Sequence, residues 1–482
     1  MDAGGGTIAL APRTLTPTRA LPTALRRPNE LFAGYRPRLR YLVLIYAVVL
    51  GVQLYLYSPA DEPLNAYVTV MWSIYFPIVV VGLMGLDRRK KQPVVTQYGG
   101  VADDLVIFFL PTIGRTDTLP ALCRVVDSIL RYAPQSLTHF RVDIVTEEGA
   151  EARSAIEYRY GRHECVRVLA IPRDYATPNG TRFKARANQY ALEERRGQGE
   201  ARDDVFVYHL DDDTAVGVDT VASLAEFINC DADKYDLAQG ILAFPHQLSP
   251  SFFCRMADSA RPFDDMTRFR LFTGVLGRPL MGLHGEHLVI RSSVEDEIGW
   301  DFGRTKVEDA HFALLFSRRY PGRSTMLRSY TYGASPARVG DLITQRRRWA
   351  AGLIALVLDR QIPLRDRWPL MWAVANWVAG IFYTMTLVWA VALLTGHSST
   401  SPMVEWVLPI WALNFAFALW GYLEGLKINW SVSERTVSYP KLVVMLLPTF
   451  PIVALIEAYA TLLGLRDAVL RKDDFKVIPK LT

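Results

Sequence analysis

The sequence predicts an α/β domain of Rossmann-like type inserted between transmembrane α-helices, and three observations carry that expectation. Half of the 482 residues are hydrophobic, yet 21% are charged, and the two classes are segregated along the chain. Charged residues crowd between Asp87 and Arg348, with long apolar runs on either side. Within the charged region, short β-branched runs alternate with helical stretches, the pattern of a mostly parallel sheet covered on both faces.

Taken in order, residues 1–40 are rich in Gly, Thr, Pro and Arg without periodicity and are expected to form a disordered, basic segment. They do not read as a secretory signal, because the first apolar run starts only at Tyr41 and no small-residue cleavage site follows it. Residues 41–86 hold two candidate spans, Tyr41–Ser58 and Ala66–Leu86, each approaching the ~20 apolar residues that cross ~30 Å of hydrocarbon. Asp61 and Glu62 lie in their link without any Lys or Arg. Arg36, Arg38 and Arg40 precede the pair, and Arg88, Arg89, Lys90 and Lys91 follow it. The positive-inside rule therefore assigns both flanks, and the region 87–349, to the cytoplasm.

That region carries strand candidates at Asp104–Leu110, Phe140–Thr146, Cys165–Ile171 and Val205–Leu210, with helical segments such as Thr118–Tyr132 and Lys184–Arg195 between them. In such sheets a ligand site lies at the carboxyl ends of the strands. Residues 350–366 read as an amphipathic helix at the membrane interface. Residues 367–465 hold two further spans, Trp368–Leu394 and Met403–Leu423, joined by a link without Lys or Arg. A last apolar run, Leu442–Leu465, contains Pro448, Pro451 and Glu457. The prolines break helical hydrogen bonding and the glutamate costs a few kcal/mol at the bilayer centre, so this run is expected to be broken, re-entrant or interfacial. Residues 466–482, with Arg466, Arg471, Lys472, Lys476 and Lys480, then form a cytoplasmic tail.

The net charge of +5 comes from basic clusters beside the apolar runs. It reads as membrane topology and not as a nucleic-acid surface. Cys123, Cys165, Cys230 and Cys254 lack CxxC spacing and are expected to be reduced thiols. Asn179-Gly180-Thr181 and Asn429-Trp430-Ser431 match the glycosylation acceptor pattern, but both fall on the expected cytoplasmic side.

Three clusters carry chemistry. Tyr208-His209-Leu210-Asp211-Asp212-Asp213-Thr214 follows the apolar strand Val205–Val207 directly. Three consecutive carboxylates at a strand end repel one another, and a divalent cation relieves that repulsion; hard oxygen donors suit Mg²⁺ or Mn²⁺. A phosphatase-type DxDxT loop fails on spacing, because Thr214 stands one position early. Lys306-Val307-Glu308-Asp309-Ala310-His311 opens a helical run. An ionised aspartate here can take a proton from an attacking hydroxyl, with Asp309 as the base and Glu308 beside it. Gln345-Arg346-Arg347-Arg348-Trp349 supplies guanidinium forks for phosphate and an indole face for a sugar ring.

A DxD pair, an ED pair and a QxxRW motif, in this order between apolar segments, resemble the family 2 processive-type glycosyltransferases such as cellulose and hyaluronan synthases. The resemblance spans roughly residues 100–350 and implies a nucleotide-sugar domain of GT-A type. It implies that Asp211 and Asp213 hold the metal, and that Lys184, in a KxxN-like Lys184–Asn188 segment, binds nucleotide together with Asp211, Asp212, Gln345 and Arg348. Pro111, Thr112 and Arg115 resemble the loop that admits the nucleoside, and Glu147 or Glu148 its base-side acid. Trp349 caps the acceptor, and an acceptor-lining loop includes His284 and Gly285.

Gly282–His287, Ile298–Asp301, Ser335-Pro336 and Phe475–Lys480 are similar to segments of the egghead-type β-1,4-mannosyltransferases. That subgroup implies GDP-mannose as donor and a glycan or glycolipid acceptor. The expectation is a metal-dependent, inverting hexosyltransferase in a plasma or endoplasmic-type membrane. One alternative is a processive β-glycan synthase that uses a UDP-sugar and secretes its polymer, for which four or five spans leave little material for a channel. The other is a transporter with a nucleotide-binding regulatory domain, disfavoured by the lack of an internal repeat. His284, Glu286 and His287 lack the further Cys or His that a zinc site needs.

Overall fold

A computed structural model describes residues 37–56, 75–86, 99–395, 408–434 and 437–471. The expectations for residues 1–36, for the links at 57–74, 87–98 and 396–407, and for the tail beyond 471 lie outside the described residues.

The helices are α1 Leu39–Leu56, α2 Phe76–Gly85, α3 Leu119–Tyr132, α4 Arg153–Tyr160, α5 Phe183–Gly197, α6 Val218–Glu226, α7 Phe252–Asp258, α8 Arg261–Asp264, α9 Ser292–Ile298, α10 Glu308–Arg319, α11 Val339–Leu358, α12 Leu364–Leu394, α13 Leu408–Ser431 and α14 Tyr439–Val469. The strands are β1 Leu105–Pro111, β2 Phe140–Glu147, β3 Val166–Ile171, β4 Val205–His209, β5 Leu237–Ala243, β6 Leu288–Arg291 and β7 Ser324–Tyr332. They form one seven-stranded sheet in the order β3-β2-β1-β4-β6-β5-β7. Only β6 runs antiparallel to its neighbours. The expected mostly parallel sheet is therefore present, with a mixed edge that the sequence pattern did not announce.

β1 explains why the sheet is central. Val106 to Leu110 are fully buried, an uninterrupted apolar run that only a strand covered on both faces can use. α3 lays Leu122, Val125, Val126 and Ile129 on one face, and α5 covers the other with Ala187 and Ala191. β1, β2 and β4 are parallel, so their carboxyl ends open on one edge of the sheet.

The apolar helices pack on this domain directly. A Cβ on Gly85 would fall 1.9 Å from the Thr267 carbonyl oxygen, so α2 can approach the following π-helix, Asp265–Val275, only through glycine. A Cβ on Gly464 in α14 would likewise fall 2.5 Å from the Ala350 Cβ.

Two expectations are corrected here. The boundary drawn at 349/350 is not a break: α11 continues through it without a helix breaker, burying Ala350, Ala351 and Ile354. The run 442–465 is not broken. It is part of the 31-residue helix α14, with Pro448 and Pro451 inside it. The Thr449 hydroxyl, between the two prolines, donates to the Met445 carbonyl at 2.8 Å. Glu457 is not an unpaired charge, because Arg346 Nε donates to it at 2.8 Å. Among the described residues, α14 is the one helix long and apolar enough to cross a membrane; α1 and α2 are apolar but shorter.

Candidate active site

The carboxyl edge of the sheet opens into a cavity of about 1370 Å³. At the end of β1, Pro111 and Thr112 line it, and the Thr112 hydroxyl donates to Asp212 Oδ2 at 2.7 Å. This bond turns Asp212 toward the β1 loop. At the end of β2, Glu147 also lines the cavity, paired with Arg186 at 2.6 Å. Arg186 is anchored in turn on the carbonyls of Pro172 and Tyr175.

Asp211, Asp212 and Asp213 follow β4 and all face the cavity. Lys184, from the first turn of α5, pairs with Asp211 and donates to the Gly285 carbonyl at 2.7 Å. Burial opposes the Lys184 charge, but Asp211 and Glu308 outweigh it, so the ammonium titrates above its ordinary range. Glu286 lies close enough to feel Asp211 and Asp213. Burial first, and then Asp211, push its pKa up. It accepts from the Thr214 hydroxyl and pairs with Arg261 at 3.4 Å.

Glu308 and Asp309 open α10 and also line the cavity, near Lys184. Burial and the adjacent Asp309 push Glu308 up to about 7. Burial raises Asp309 as well, against the pull of Lys184. Asp309 Oδ1 accepts from the Ala310 amide at 2.8 Å, the helix N-terminus stabilising its ionised form. An aspartate made more basic than usual by burial, with a lysine nearby that favours its charge, is chemically suited to take a proton.

Gln345, Arg348 and Trp349 reach the cavity from α11. The Trp349 ring lies beneath two guanidiniums, Arg346 at 4.4 Å and Arg261 at 5.2 Å. His284 also lines the cavity. Its Nε2 meets Asp265 Oδ1 at 2.6 Å, and its ring lies against Phe269, with centroids 4.5 Å apart. Burial would lower its pKa, but Asp265 outweighs burial and raises it.

One predicted site residue is elsewhere. Arg115 pairs with Asp117, both sides about two-fifths exposed, and stands outside the cavity lining. Arginine two residues from an aspartate on an exposed turn satisfies itself locally. His287 turns into the core between Tyr208 and the Ser329 carbonyl, where burial lowers its pKa to about 3. With His284 on Asp265 and Glu286 on Thr214, the three side chains do not converge as zinc ligands. Asp265, Arg261, Glu286 and Thr214 were not foreseen as site residues. Of these, Thr214 and Glu286 sit in segments the sequence did single out.

The donor set suits a hard divalent ion. Asp211 and Asp213 supply carboxylate oxygens on the same wall, while among the described residues no three His, Cys, Asp or Glu side chains form a ready-made metal group. Two protein carboxylates leave most of the coordination sphere to other oxygens, as expected where a diphosphate shares the ion.

Residues 206–423 match the model of glycosyl transferase family group 2. The chain is a relative of the family 2 glycosyltransferases. The matched stretch contains the aspartate cluster, the Glu308–Asp309 pair and the Gln345–Trp349 motif. The chain is 26% identical over 349 residues to the β-1,4-mannosyltransferase egh of Drosophila melanogaster, covering 71% of each chain. It is 26% identical over 322 residues to the β-1,4-mannosyltransferase bre-3 of Caenorhabditis elegans, covering 65% of this chain and 67% of that one. A mannosyltransferase from Pyrobaculum calidifontis, solved in complex with GDP-Man and Mn²⁺, aligns with a TM-score of 0.45 at 15% identity, over 89% of this chain and 99% of that one.

Proposed function

We propose that this glycosyltransferase is an inverting, GT-A-type hexosyltransferase embedded in a membrane, with its catalytic domain in the cytoplasm. It moves a hexose from a nucleotide sugar, GDP-mannose in the favoured reading, to a glycan or glycolipid acceptor with formation of a β-linkage. The observation that carries this reading is the common cavity: Asp211 and Asp213, Asp309, and the Gln345–Arg348–Trp349 face line one chamber.

In this reading Asp211 and Asp213 hold Mg²⁺ or Mn²⁺, which neutralises charge on the diphosphate leaving group. Pro111, Thr112, Glu147 and Asp212 border the nucleoside side, while Lys184, Gln345 and Arg348 hold the phosphates. Arg115, paired outside the lining, takes no part. Asp309 accepts the proton of the acceptor hydroxyl as it attacks, and Glu308 supports the pair. His284, Gly285 and Trp349 border the acceptor. One displacement from the opposite face inverts the anomeric centre and needs no covalent sugar–enzyme intermediate. The names of the egh and bre-3 relatives support mannose as the transferred sugar.

The test is release of nucleoside diphosphate by the purified full chain from GDP-mannose, UDP-glucose, UDP-N-acetylglucosamine and UDP-galactose, with and without Mn²⁺. Metal-dependent GDP release from GDP-mannose alone is expected. Preference for a UDP-sugar, with long products on a sizing gel, would favour a processive synthase. No release from any donor would sink the enzymatic reading.

A further inference from the structure

α11 lines the cavity with Gln345, Arg346, Arg348, Trp349 and Leu353, and Arg346, 4% exposed, has all three guanidinium nitrogens engaged within the protein. Its Nη2 donates to Asp258 Oδ1 at 2.6 Å, at the end of α7, and its Nε to Glu457 Oε1 at 2.8 Å, on α14. Its Nη1 donates to Gln345 Oε1 at 2.9 Å, and its guanidinium lies 4.4 Å from the centre of the Trp349 ring. One buried cation in the cavity wall thus touches two site side chains. Two carboxylates from separate helices fix the cation itself.

That arrangement has a chemical consequence for each neighbour. A glutamine amide can present either its oxygen or its nitrogen. With Oε1 claimed by Arg346, Gln345 keeps its NH₂ donors for other partners. The indole is held by a charge at ring-stacking distance, which limits its tilt. A planar fork with two carboxylates is a geometry that lysine cannot reproduce.

We propose that Arg346 is a positioning residue: fixed by Glu457 and Asp258, it sets the orientation of Gln345 and Trp349, so that α14 holds the transfer site in register. This rests on the reading of the cavity as the site of glycosyl transfer. With its guanidinium nitrogens taken up by Glu457, Gln345 and Asp258, Arg346 acts through its two neighbours. A membrane-length helix thereby becomes part of the site's geometry.

The experiment uses the purified full chain with GDP-mannose and Mn²⁺, following GDP release, together with 5-fluorotryptophan labelling read by ¹⁹F NMR. Arg346→Lys keeps the charge between the two carboxylates, and Glu457→Gln keeps a hydrogen-bond acceptor, so at least one is expected to fold. Arg346→Lys should cost on the order of 100-fold in kcat, the scale of a small misplacement. Added to Gln345→Ala/Trp349→Ala, it should cost no more than about twofold further, because its route is already removed. A purely structural role would instead multiply the losses. Independently of any turnover, the Trp349 fluorine resonance should shift in both single variants. An unmoved resonance, or losses that multiply, overturns the proposal. If the wild-type chain releases no GDP while the Trp349 resonance still shifts in both variants, the transfer reading fails and the positioning role stands.

Discussion

Lys184 donates to the Gly285 carbonyl at 2.7 Å while its ammonium pairs with Asp211, so a loop backbone and a candidate metal ligand share one cation. A Cβ on Gly285 would stand 2.9 Å from Lys184 Nζ and 3.4 Å from Asp309 Oδ2. Gly285→Ala should therefore displace the flexible lysine end without breaking the fold. The expected result is a loss of activity on the order of 100-fold with an unchanged melting temperature. A melting temperature that drops with activity would show that the glycine serves the fold.

Asp309→Asn should reduce donor turnover by roughly 10²–10⁴-fold, the usual contribution of a positioned base. Because burial raises the Asp309 pKa, the wild-type rate should fall on acidification at a pH above the ordinary carboxylate range. A rate that stays flat down to pH 4 would remove Asp309 from that role.

Glu308 carries a stability signature of its own. Its folded pKa, about 7, lies above its ordinary 4.5, so the folded chain binds the proton more tightly. Its contribution is complete below about pH 4.5 and is lost as pH rises through about 7. Glu308→Gln should flatten that part of the metal-free melting profile. An identical slope in the variant would contradict the assignment.

Thr112→Val removes the 2.7 Å bond to buried Asp212. A hydrogen bond to a charged group is worth about 1.5–3 kcal/mol, and chemical denaturation should register a loss of that order. Asp212 released from Thr112 should also raise the KM for the nucleotide-sugar donor. An unaltered KM would separate Asp212 from the nucleoside side.

Beneath the aspartate cluster, Glu295 accepts from Arg195 at 2.8 Å, Trp300 at 2.7 Å and His209 at 3.0 Å, all buried. Burial opposes its charge, but Arg195 and His209 hold its pKa at about 2. A depressed carboxylate stabilises the fold above its unfolded pKa and loses that contribution as pH falls toward 2. Glu295→Ala should cost about 3–5 kcal/mol by stranding Arg195, measurable by denaturant unfolding at neutral pH. A loss below about 1 kcal/mol would mean that the pair is solvated.

The first four strands were legible because each is a short apolar run with a helix after it. β5 carries Gln239 and Gly240, β6 has four residues, and β7 mixes Ser, Arg and Thr with its apolar positions. None of these has a clean period of two. The π-helix at Asp265–Val275 has a repeat that helical periodicity does not match, so Asp265 gave no hint of facing His284. Glu457 looked costly because its partner, Arg346, is 111 positions away in the chain. Arg115 failed for the opposite reason: its partner was only two residues off.

The reversed strand β6 has an effect on where the chain can deliver side chains. Parallel strands finish at the cavity edge, whereas β6 departs from it, with Leu288 seated beside His209 of β4. The segment running into β6 is therefore carried to the rim where β4 hands over to Asp211. A single change of direction lets Gly285 and Glu286 confront the aspartates across one strand spacing. An all-parallel sheet would have left that turn on the far side of the molecule.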